Sequence, residues 1–305
     1  MMDMPPRAVL KSQARWRMGQ AMGACLTLSG VLVAAQFILY SLQISSGSGI
    51  PVYLWSTDSQ TIQTGAQLSA DGLFAALRVE QAGVGLSVAI TPAILAAVVL
   101  AQLLTTVVLA PLKVGAIENF HVLVEGTVPL FRSVAAWYLD LKRAAGAILV
   151  ELALLVCQCV LELVLSLPAL LLLWRSGGDL DTISAAFWLL LAAFALAYCL
   201  MTQLAPARYL LACNPAAGPA AAFRETFRVL KGRRGSYLLF RLSFLPLEII
   251  SSLTRGVFQF YLFPYQGLSN LLWLRAARGG SVDMSAPPAP PVYPVEEDDD
   301  WPPEL

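Results

Sequence analysis

The sequence predicts an all-α fold: a polytopic membrane helix bundle of about six transmembrane helices, with interfacial amphipathic helices between them. Three observations carry that prediction. Of 305 residues, 57% are hydrophobic and only 13% charged, with a mean hydropathy of +0.67, whereas soluble domains carry about 25% charged residues. Apolar runs long enough to cross a hydrocarbon core of roughly 30 Å recur along the chain. Lys and Arg gather in alternate connections, as the positive-inside rule requires of cytoplasmic loops.

Arg7, Lys11, Arg15 and Arg17 precede the first apolar run, Met18 to Leu42. This run exceeds the roughly 7 to 15 residues of a signal-peptide core and ends without a small-x-small cleavage site, so an uncleaved first span is expected. Residues 43–83 are rich in Ser, Gly, Thr and Gln, and Ser46-Gly47-Ser48-Gly49 breaks the helix. Within them Leu73 to Val79 has the weak pattern of a short interfacial helix. The second span is 84–110, with Pro92 tolerated in its outer turns.

Charge returns in 111–143 with Lys113, Glu118, Glu125, Arg132, Asp140, Lys142 and Arg143 among apolar residues. With breaks at Gly126 and Pro129, this is the pattern of two short helices lying on the membrane surface. His121, the one histidine, sits here beside Phe120 as a surface or packed residue. The third span, 144–173, carries Glu151 and Glu162, with Pro168 near its end; a loop and a fourth span, 185–205, follow.

Between Asn214 and Tyr237, Arg224, Arg228 and Lys231 recur at i, i+4 and i+7, with Phe223, Phe227 and Leu230 one step behind. The two sets form basic and apolar stripes about 100° apart on one helix. Such a helix attracts anionic headgroups by about 1 kcal/mol per cation near the surface. The three cations are therefore candidate lipid-headgroup contacts, and equally the cations of an ordinary cytoplasmic loop. Spans five and six are expected at 237–255 and 257–274, the alternative being a re-entrant piece around Pro264. With the N-terminus inside, sixteen of the twenty Lys and Arg residues fall on the cytoplasmic side.

Residues 1–278 thus form an integral membrane domain, expected in the cell membrane with both termini cytoplasmic. From Gly279 the chain turns to Ser, Pro and acid, a composition unable to bury enough apolar surface to fold, so 279–305 is expected to be a disordered acidic tail. The five cysteines, odd in number and mostly inside apolar runs, make no disulfide framework. Cys157 and Cys159, two apart on a helix, point in different directions and read as packing residues.

Ionisable residues inside spans are the candidate site. Arg241, Glu248 and Arg255 are spaced by seven and share one face, as do Glu151 and Glu162, eleven apart. A charge at the centre of a membrane helix costs about 2.5 to 3.5 kcal/mol, so partners are expected. Comparable depths match Arg241 with Glu151 and Arg255 with Glu162. Glu248 is left near mid-membrane, either as a proton-linked carboxylate or ligand contact, or as a protonated or hydrogen-bonded structural glutamate.

No metal-ligand cluster, phosphate-binding loop, dinucleotide fingerprint or nucleophile–base pair stands in the sequence, which argues against an enzyme and for no cofactor. Zero net charge offers nothing to a nucleic acid. The expected partners are membrane lipids and, through the tail, another protein. A membrane scaffold or accessory role needs no site and is favoured; the alternative is a small-molecule, ion or lipid transporter with Glu248 at its midplane.

Leu10-Lys11, the Pro111 to Gly126 segment, Lys231-Gly232, Leu242-Ser243-Phe244, Thr254-x-Gly256 and Pro264-Tyr265 together resemble the bacterial integral membrane family described as domain of unknown function 975. The resemblance covers about residues 7–278 and implies a multi-pass membrane protein, with no activity or catalytic residues to carry over. The layout is more faintly similar to the membrane domains attached to glycerophosphodiester phosphodiesterases, although no phosphodiesterase catalytic domain is present.

Overall fold

Inside a bilayer a backbone must satisfy its own N–H and C=O groups, and long apolar runs do so as helices. The chain is an all-α helix bundle with one small sheet. The computed structural model describes residues 5–45, 52–56, 79–81, 84–88, 92–127, 131–175, 180–254 and 257–280. Its helices are α1 (Arg7–Gln20), α2 (Met22–Ser45), α3 (Pro92–Val124), α4 (Phe131–Leu139), α5 (Leu141–Arg175), α6 (Leu180–Leu204), α7 (Pro206–Cys213), α8 (Gly218–Leu230), α9 (Arg234–Leu242), α10 (Leu245–Leu253) and α11 (Gln259–Ala277).

Among the described residues, Val99–Val124, Leu141–Leu172, Asp181–Cys213 and Arg234–Leu253 are long and apolar enough to cross a membrane. A fifth span results if α1 and the first part of α2, which meet at 93°, count as one. The expected sixth, 257–274, is helical from Gln259 onward, but Gln259, Gln266 and Asn270 together with its tyrosines make α11 too polar for that group. Its role is to be packed around. Leu262, Pro264, Tyr265 and every residue from Gly267 to Leu274 are buried.

Two expectations are corrected in the first half of the chain. Residues 84–88 do not begin a helical span; Val84-Gly85-Leu86-Ser87-Val88 alternates with period two and forms strand β3 (Val84–Val88). It lies between β1 (Val52–Ser56) and β2 (Val79–Gln81), antiparallel to both, with Val52 opposite Val88 and Val79 opposite Leu86. Nor does the following helix stop at 110. It continues through Pro111 to Val124, at the cost of the one carbonyl bond, to Val107, that proline cannot make. Residues 111–143 therefore hold the end of α3, the short α4 and the start of α5 rather than two surface helices. Of 43–83, residues 46–51, 57–78 and 82–83 lie outside the described residues, the expected helix from Leu73 among them save for Val79, and so does the tail from 281.

The chain divides into two compact units, Met1–Val33 with Leu109–Leu155 and Tyr198–Leu305, and Ala34–Val108 with Val156–Ala197. In the first, α1 lays Leu10, Ala14 and Met18, one helical face, against α11. Helix α3 approaches α11 so closely that a Cβ on Gly267 would stand 2.6 Å from the fully buried ring of Phe120. Aromatic contacts extend this core, with Tyr237 and Trp273 rings 4.7 Å apart and Phe240 and Phe244 5.4 Å apart. Arg17 ties the unit's ends, donating to the Leu123 and Val124 carbonyls in the last turn of α3. In the second unit, Leu163 and Trp188 are each 63% exposed, and the apolar surface they belong to is what a lipid-facing belt requires.

Candidate functional site

The expected fifth span is α9 followed by α10, interrupted at Ser243-Phe244. Pro246 has no N–H to give the Leu242 carbonyl, so the helix pauses and restarts with Pro246 in its first turn. The pause leaves the seven-residue face intact: Arg241 Nη2 lies 3.4 Å from Glu248 Oε1. Arg241 and Glu248 side chains are only 15% and 27% exposed. Two other helices complete the shell, Gln266 Nε2 of α11 donating to Glu248 Oε1 at 2.8 Å and the Tyr198 hydroxyl of α6 donating to Oε2 at 3.0 Å.

The network continues one turn along both helices. Tyr237, four residues before Arg241, donates to Asn270 Oδ1 at 3.0 Å; Asn270 Nδ2 donates to the Gln266 carbonyl at 2.7 Å and to the Tyr209 hydroxyl at 3.3 Å. A polar column of uncharged amides and phenols thus runs beside one ion pair. The ion pair is the one place in it where charge resides, and both charges are held by the protein.

Arg241 is therefore not the partner of Glu151. That carboxylate, 7% exposed on α5, faces Arg208 of α7, Nε to Oε1 3.2 Å, and Lys113 of α3 lies within electrostatic range of both. The depth match failed because it left out Arg208 and Lys113 as loop cations. Arg208 in fact follows Pro206 in a helix, and Lys113 lies past Pro111 in a helix that does not stop. Glu162 accepts a 2.8 Å hydrogen bond from Gln158, one turn earlier on α5; its expected partner, Arg255, lies outside the described residues. Tyr198, Gln266, Asn270 and Lys113 went unnoticed as site residues, although the two amides four apart on α11, Gln266 and Asn270, were a readable signal.

A second polar region lies on α8. Arg224 and Arg228 are exposed as the basic stripe required, and Lys231 is the exposed residue that ends the helix. The apolar stripe is displaced, however. Ala222, Thr226, Val229 and Leu230 form the buried face, and Phe227 is 50% exposed. Arg224, Glu225 and Arg228 line a cavity of about 450 Å³ together with Arg278, Asn214 and Leu210; Lys231 is not part of it. Among the described residues no three His, Cys, Asp or Glu side chains stand close enough to hold a metal ion, and His121 pairs with Glu125, Nδ1 to Oε1 3.6 Å.

Fold and site define an all-α protein with several helices of the length and apolarity that cross membranes, and with the carboxylates of Glu151 and Glu248 each paired with an arginine. The chain belongs to the family described as Protein of unknown function (DUF975), whose model matches residues 7–279. No curated protein and no solved structure matches it.

Four of the segments that carried the family resemblance come together in space. Lys11 Nζ donates to the Ser243 carbonyl at 3.0 Å and sits 3.9 Å above the Phe244 ring, which in turn packs 5.4 Å from the Tyr265 ring. Phe120, from the Pro111 to Gly126 segment, is 5.6 Å from Phe263. These segments build the packed centre around α11.

Proposed function

We propose that the protein is a non-enzymatic membrane scaffold or accessory protein, seated in a bacterial cell membrane with both termini in the cytoplasm. It works through its surface helices and acidic tail, toward lipids and a protein partner. The observation that supports this reading is the closure of Glu248: each carboxylate oxygen accepts a hydrogen bond from the protein, and Arg241 balances its charge. A transport carboxylate must exchange those partners for a proton or a substrate, and desolvated, paired charges resist such exchange.

The transport reading keeps one support of its own, the 27% of the Glu248 side chain that stays accessible. Full-length protein in sealed vesicles separates the two. The accessory role expects pH-gradient decay no faster than in protein-free vesicles, and a chain ending at Arg278 that loses a co-purifying protein. A proton or ion flux abolished by Glu248→Gln would overturn it in favour of transport.

A further inference from the structure

The spacing of 221, 224, 225 and 228 puts these residues on one face of α8, next to its buried face, whose Ala222 also lines the cavity. Arg278, the residue that ends α11, reaches the same place. Glu225 shows where the cations converge: one oxygen lies 3.1 Å from Arg228 Nη1, the other 3.6 Å from Arg278 Nε. One carboxylate thus bridges two guanidiniums from different helices, the geometry of two arginines sharing an anion. Arg224 lines the same cavity with no ion pair among the described residues. Three arginines against one glutamate leave the cavity with unbalanced positive charge.

We propose that this cavity binds a phosphate-bearing anion, held by Arg224, Arg228 and Arg278, with Glu225 competing for the same guanidiniums. The guanidinium fork matches two phosphate oxygens at once and gives charge-assisted hydrogen bonds about twice as strong as neutral ones. A volume of about 450 Å³ falls within the range of roughly 300 to 1,000 Å³ typical of small-ligand sites and admits a headgroup or a free phosphate. Phe227, half exposed on the same helix, is the apolar neighbour that a helix lying at a membrane surface presents to acyl chains. The inference rests on the accessory reading only for the surface role of α8. Its test reads binding and not flux, so the two fail separately.

Full-length protein in phosphatidylcholine nanodiscs is titrated with inorganic phosphate, and in a second arm the nanodiscs carry phosphatidic acid whose retention is measured by native mass spectrometry. Saturable binding of inorganic phosphate identifies a free phosphate site; retention of phosphatidic acid without it identifies a headgroup site. Arg224→Gln and Arg278→Gln are each expected to weaken binding roughly tenfold, while Lys142→Gln, a cation outside the cavity lining, leaves it unchanged. Glu225→Gln is expected to tighten binding several-fold, a gain that misfolding cannot produce. Absence of binding in both arms overturns the proposal, as does equal weakening by Lys142→Gln or unchanged binding in Glu225→Gln.

Discussion

Lys11 and Phe244, more than two hundred positions apart, meet as a cation over a ring, with the ammonium 3.9 Å from the centroid. The same ammonium takes the Ser243 carbonyl at 3.0 Å. That carbonyl is available because the helix pauses there, with the Leu247 N–H turning to Phe244 instead. The N-terminal helix thus supplies a donor at the break between α9 and α10.

Lys11→Met keeps the aliphatic stem and removes both interactions, so a loss of about 1 to 2 kcal/mol is expected. Phe244→Leu removes the ring alone. Denaturant unfolding in detergent of both single variants and the double variant measures the coupling. Strict additivity would show that the cation and the ring do not interact.

Glu151 and Arg208 make a second test. Removing one partner of a buried pair leaves an uncompensated charge and costs about 3 to 5 kcal/mol. Arg208→Met should therefore sharply lower folded yield, and Glu151→Gln added to it should restore much of it. Exchanging the charges of Glu151 and Arg241 should rescue nothing, because Arg241 belongs to Glu248. Rescue by that exchange would return the pairing to the one that depth alone suggested.

What could be read in advance follows from what is local. The long apolar helices α5 and α6 and the basic helix α8 are set by residues within a few turns, and so is the shared face of Arg241 and Glu248. The partners of Glu151 were not legible, since a cation after a proline reads as a loop until tertiary packing extends the helix. Strand β3 was masked because its alternating residues run directly into an apolar helix. The column of Tyr237, Asn270, Gln266 and Tyr209 joins α7, α9 and α11, and no spacing rule within one helix places groups on three.

The Tyr237 hydroxyl is fully buried and donates to Asn270 Oδ1. Tyr237→Phe leaves that amide oxygen without its donor, an expected cost of about 1 to 3 kcal/mol. Adding Asn270→Leu removes the orphaned group but also the bonds to Tyr209 and Gln266, so the double variant should lose less than the sum of the single losses. A sum of independent losses in thermal unfolding would mean that the column is not cooperative.

Gly267 is the described glycine with the least room for a side chain. A methyl there would meet Phe120 Cδ2 at 2.6 Å and Cε2 at 3.0 Å, and Phe120 has no exposed surface through which to retreat. Overpacking of this kind costs about 1 to 3 kcal/mol, so Gly267→Ala should lower the unfolding midpoint measurably. Phe120→Leu is destabilising by itself through the space it opens. Combined with Gly267→Ala it should do less harm than the two losses summed, because the smaller side chain makes room for the methyl. If the double variant is as unstable as the summed singles, then α3 and α11 do not approach through this pair, and the close packing of α11 must be carried by its other neighbours.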